Sequence, residues 1–99
     1  MYVKDYQVAL SKKGTRLMSI IFPDWYDDLY QFECESKGVI LNFEITVNGN
    51  TRTFNFYDPI RFIQDMEDEI ADIGYFKDEY AVVLKKVTKD NIIKYLLSI

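Results

Sequence analysis

VILNFEITVNGNTRTFNFYD, residues 39–58, is the stretch that decides the fold. Asn48-Gly49 is the preferred central pair of a type I′ turn, whose twist matches that of two antiparallel strands. A two-residue turn there sets Val47 opposite Asn50. Counting outward, Ile45 faces Arg52, Phe43 faces Phe54 and Leu41 faces Phe56, all on one side. The other side holds Thr46 with Thr51, Glu44 with Thr53, and Asn42 with Asn55. Turn chemistry and binary pattern select this register independently. One apolar face and one wet face is the habit of an antiparallel sheet covered on one side.

A helix is expected to follow at once. Asp58 suits the N-cap and Pro59 the first helical position. Phe62, Ile63, Met66, Ile70 and Ile73 recur at helical spacing, and Gly74 is placed to end the helix in the left-handed conformation. This apolar stripe is expected to lie on the apolar face of the hairpin. Asp65, Asp68 and Asp72 fall on the opposite side, with Glu67 and Glu69 on the flanks.

Outside this unit, Tyr80 to Val87 reads as a strand, and Thr88 caps a closing helix through Ile92, Ile93, Leu96 and Leu97. Tyr2 to Leu10 and Arg16 to Phe22 read as strands joined around Lys12-Lys13-Gly14. Pro23 to Leu29 is a polar-aromatic connection with no assigned element. Tyr30, Phe32 and Cys34 alternate with Gln31, Glu33 and Glu35, which favours a strand over 30–35, with Lys37 and Gly38 breaking or bulging it. The expected architecture is a single α+β domain over residues 1–99: a mostly antiparallel sheet of four to six strands with two helices packed on one face.

Composition sets the function classes. The chain has 99 residues, 48% of them hydrophobic and 16% aromatic, which is a folded domain and not a disordered tail. It contains no histidine, so Ser-His-Asp and Cys-His catalysis are impossible within it and the commonest metal ligand is missing. Cys34 is the single cysteine, which rules out an internal disulfide and favours a reducing compartment. Cys34 reads as a small core hydrophobe. No secretory signal pattern and no apolar run of membrane-spanning length is visible, so the expected location is cytoplasmic. No catalytic residue, cofactor or metal site is assigned.

Net charge is −4 and unevenly spread. Residues 58–79 hold eight acids against Arg61 and Lys77, whereas residues 1–22 and 80–99 are each +3. An acidic centre argues against a nucleic-acid backbone as ligand. The plain reading of Asp65, Asp68, Glu69 and Asp72 is a solvated face that keeps the protein in solution. That reading leaves unexplained why so few bases sit among them, and a docking face for a basic partner explains it. A calcium loop is not indicated, because the acids lack its spacing and its central glycine. Asp24, Trp25, Tyr26, Asp27 and Asp28 form a second candidate, aromatics ringed by acids as at an interface anchor. Trp25 as a plug at one end of the core is the plainer alternative.

The run Thr53-Phe54-Asn55-Phe56-Tyr57-Asp58-Pro59-Ile60-Arg61-Phe62, then Gln64 to Glu69, then Val82 to Thr88 and Ile92, resembles small immunity proteins of bacterial toxin–immunity systems, including contact-dependent growth inhibition. The resemblance covers about the second half of the chain and is one of size, acidity and a hairpin leading into an acidic helix. It implies no catalytic residues. It implies a cytoplasmic protein that binds one cognate toxin domain, often a nuclease with a basic cleft, and blocks it. The acids would oppose Lys and Arg of the cleft, with Trp25, Tyr26 or Tyr75 as buried anchors. The alternatives are a structural or homo-oligomeric subunit, a small enzyme acting without histidine, and a nucleic-acid mimic directed at a DNA-binding protein.

Overall fold

The hairpin forms around its turn. In the computed structural model, which describes residues 4–8 and 18–99 (side chains from 19), Asn48 and Gly49 both have positive φ, +50° and +84°. This is the backbone a type I′ turn demands. Asn48 also docks the turn on its neighbour: its N–H donates to Ser19 O at 2.9 Å and its Oδ1 accepts from Ser19 N at 3.0 Å.

Strands β1 (Lys4–Val8), β2 (Met18–Phe22), β3 (Val39–Val47), β4 (Asn50–Tyr57) and β5 (Ala81–Val83) lie in that order across one sheet. β1 to β4 pair antiparallel, and β4 pairs with β5 in parallel. Helices α1 (Asp28–Lys37), α2 (Pro59–Ile73) and α3 (Lys89–Ser98) complete an α+β fold. The expected turn at Lys12-Lys13-Gly14 lies outside the described residues.

The expected register holds from Val47↔Asn50 to Phe43↔Phe54 and then slips. Ile40, not Leu41, pairs with Phe56, so the expected Leu41–Phe56 and Asn42–Asn55 pairs do not form. The cause is a bulge at Asn42, whose φ is +54°. Asparagine tolerates this left-handed region better than most residues. Its amide donates to the Asn55 side chain at 2.7 Å in place of a ladder partner. An extra residue exchanges the two faces of the strand beyond it. Ile40 therefore enters the core and Leu41 stands 49% exposed.

The core gathers Ile20, Phe22, Phe43, Ile45, Phe54 and Phe56 from the sheet with Tyr26, Cys34, Leu84, Val87, Ile92 and Leu96. Phe43 is its hub: its ring centroid lies 4.8 Å from Tyr26, 5.5 Å from Trp25, 5.9 Å from Phe22 and 6.2 Å from Phe56. Tyr26 is fully buried and its hydroxyl has no hydrogen-bond partner among the described residues. A buried orphan hydroxyl costs about 1–3 kcal/mol. Tyr26→Phe is therefore expected to stabilise the protein by about 1 kcal/mol, measured as a higher denaturant midpoint. A fall in that midpoint would reveal a partner for the hydroxyl.

Two sequence expectations are corrected here. Residues 30–35 are helical, not a strand. Asp27 caps α1 by accepting from Tyr30 N at 2.9 Å, and Gly38 ends it at φ +73°. The apparent alternation misleads because Phe32 is 68% exposed, whereas Cys34 is the one buried residue of α1. The strand expected over 80–87 is only Ala81–Val83. Its partner runs out: β4 ends at Tyr57, whose carbonyl takes Leu84 N at 2.7 Å, and Asp58 already caps α2. Thr88 caps α3 as expected, accepting from Asn91 N at 3.2 Å.

Candidate functional site

Asp58, Pro59 and Gly74 set the limits of α2 as the sequence reading placed them. Asp58 accepts from Arg61 N at 2.7 Å, and Gly74 takes φ +91°. The start of α2 is tied to the end of α1: Asp58 N donates to Gly38 O at 2.8 Å, and Arg61 Nη1 donates to Lys37 O at 3.3 Å.

Contrary to the sequence expectation, the helix does not lie on the apolar face of the hairpin. The ring of Tyr95, on α3, meets Phe54 and Phe56 there, each at 6.1 Å. Successive residues of a strand point to opposite faces. Tyr57, next to the core residue Phe56, thus turns away from the core. It packs edge-on against Phe62 of α2 at 5.4 Å, and Phe62 meets Phe76 at 5.4 Å. None of the residues of α2 is buried. Ile63, Ile70 and Ile73 remain 47–50% exposed.

Between α2 and the segment after it opens a groove of about 400 Å³, lined by Leu41, Tyr57, Asp65, Asp68, Glu69, Asp72, Phe76, Lys77 and Asp78. Its apolar residues are Leu41, Tyr57 and Phe76; its rim carries five carboxylates and one ammonium. Asp78 is held in place. It accepts from Tyr57 Oη at 3.0 Å, from Asn55 Nδ2 at 3.1 and 3.2 Å, and from Tyr80 N at 3.0 Å. Burial, then the hydrogen bond to Asp78, pushes the Tyr57 phenol up to about 12. Tyr57 is therefore a neutral donor at physiological pH, and the Tyr57–Asp78 pair anchors the segment that walls the groove.

The carboxylates differ in their partners. Asp65 takes Arg61 Nε at 2.8 Å, an i,i+4 ion pair. Asp68, Glu69 and Asp72 are exposed and make no ion pair or side-chain hydrogen bond among the described residues. Lys85, Lys86 and Lys94 do not reach them. The positive charge near the C-terminus thus leaves these acids unneutralised by direct pairing.

The second candidate does not join this groove, whose lining includes none of Asp24, Trp25, Tyr26, Asp27 or Asp28. Tyr26 belongs to the core and Asp27 caps α1. Trp25 is 41% exposed and packs edge-on against Tyr30 at 4.9 Å, which makes it a half-open lid on the end of the core. Tyr75 is 62% exposed just beyond α2. Cys34 is buried, and burial raises its thiol pKa.

Leu41, Tyr57, Phe76 and Asp78 were missed as groove residues by sequence reasoning. The Asn42 bulge that exposes Leu41 has one sequence signal, an asparagine facing an asparagine across a strand pair. The fold of residues 75–80 back toward Tyr57 has none. No helix of the described residues is long and apolar enough to cross a membrane. No protein-family model, curated protein or solved structure matches this chain.

Proposed function

We propose that this protein is a binding module of the immunity type, which holds and neutralises a cognate toxin domain with a basic cleft, such as a nuclease. The observation that carries the reading is the set of exposed carboxylates Asp68, Glu69 and Asp72 on the groove rim, which have no ion-pair partner among the described residues. Charges of one sign around a concave, partly apolar site raise the local concentration of an opposite charge and steer its approach. A lysine or arginine of the partner entering the groove would find carboxylates at the rim and the rings of Tyr57 and Phe76 within it, a setting that also suits a cation over an aromatic face. Cys34 of α1 and Ile92 and Leu96 of α3 join the core, whereas α2 buries no residue and is the helix left to the partner.

The test uses the C-terminal domain of the large protein encoded immediately upstream, the expected toxin. Reversal of Asp68, Glu69 and Asp72 to lysine is expected to slow association with that domain at least about tenfold at low salt, and the wild-type rate should fall steeply as salt rises. Stopped-flow fluorescence measures both. An unchanged rate for the triple variant, or a wild-type rate indifferent to salt, would contradict the reading.

A further inference from the structure

The apolar side of α2 has a stricter spacing than the acids beside it. Ile63, Met66, Ile70 and Ile73 stand at i, i+3, i+7 and i+10, the pattern of a helix seam that docks in a groove. The three isoleucines are about half exposed, and nothing on α2 is buried. A helix with so clear an apolar stripe is ordinarily stabilised by burying it. Along this stripe Met66 is only partly covered and the three isoleucines keep about half of their surface in solvent among the described residues.

Charge indicates what covers it. Glu67 and Glu69 border the seam on its two sides, and α2 carries five acids against Arg61 alone. Two copies of α2 laid seam to seam would bring these acids together, and like charges beside a helix seam act against pairing. Lysines and arginines bordering an apolar groove would satisfy the same acids. We infer that the Ile63–Met66–Ile70–Ile73 seam inserts into an apolar groove on a protein partner whose borders are basic. The inference rests on the proposed basic partner and adds the contact itself: the seam supplies the buried anchors, and the acids supply approach and selectivity.

The probe is a synthetic amphipathic peptide of about three heptads, with Leu and Ile along its seam and Lys at the bordering positions. Two control peptides carry Glu at the borders or Ser along the seam. Fluorescence anisotropy is read against the full chain. The Lys-bordered peptide is expected to bind and both controls to bind at least about tenfold more weakly; Ile63→Ser with Ile70→Ser should weaken the Lys-bordered peptide by about the same factor. If Asp68, Glu69 and Asp72 reversal weakens binding and the double serine variant does not, the seam inference is wrong and the acidic reading survives. If neither variant has an effect, or the Lys-bordered peptide does not bind, both fall. Sedimentation of the protein alone supplies the remaining arm: a dimer abolished by the double serine variant would make a second copy the occupant and overturn the inference.

Discussion

Phe43→Ala is expected to cost about 3–5 kcal/mol, the range for removing a fully buried aromatic ring. Phe43 has no exposure, and its ring meets those of Phe22, Trp25, Tyr26 and Phe56. It touches three parts of the chain at once: β2, the connection before α1, and β4. The cavity left behind cannot collapse easily, because two of these neighbours lie on strands held by sheet hydrogen bonds. Aromatic pairing adds to the loss beyond area alone. For a domain of this size each kcal/mol moves Tm by about 4–8 °C, so a fall of more than about 12 °C is expected. Calorimetry or denaturant unfolding checks it. A loss below about 1.5 kcal/mol would mean that this ring is not the centre of the core.

Gly38→Ala is the second large effect, and it acts on two helices together. Gly38 sits at φ +73°, where a side chain is strained, and its added Cβ would fall against the Asp58 carboxylate. That carboxylate is the N-cap of α2, and Gly38 N–H, donating to Cys34 O at 2.9 Å, closes α1. Left-handed strain contributes about 1 kcal/mol. Displacing the cap adds about 0.5–2 kcal/mol. A total of about 1.5–3 kcal/mol is expected. Gly74→Ala is the matched control, since Gly74 has φ +91° with open space around it. It should show the strain alone. Equal losses at the two sites would remove the claimed coupling of the α1 and α2 ends.

The local rules read this chain well where one signal acted alone. Asn48-Gly49 determined the turn and five residue pairs beyond it. Asp58-Pro59, Gly74 and Thr88 placed helix boundaries because caps are written in one or two residues. The reading failed where two periods competed. Tyr30, Phe32 and Cys34 satisfy a strand alternation, yet Tyr30 and Cys34 are also i and i+4 on a helix, and Asp27 and Gly38 are its caps. The caps decide, and Phe32 is left in solvent. At Asn42 the alternation holds in sequence, but the bulge inverts it in space, so Leu41 reached the groove instead of the core. The acids on α2 were legible as a charged face. The place of that face was not, because the stripe opposite it was assigned to the hairpin, whose apolar side is taken by Tyr95 of α3.

Binding through α2 requires that its apolar seam be free of the protein's own core. Equilibrium unfolding of the Ile63→Ser/Ile70→Ser variant tests this most directly. Serine and isoleucine have similar helix propensity, so the loss should stay below about 1 kcal/mol per site. A loss of about 2–5 kcal/mol per site, the cost of truncating a buried aliphatic side chain such as Ile92, would show the seam already packed against the chain itself and closed to a partner.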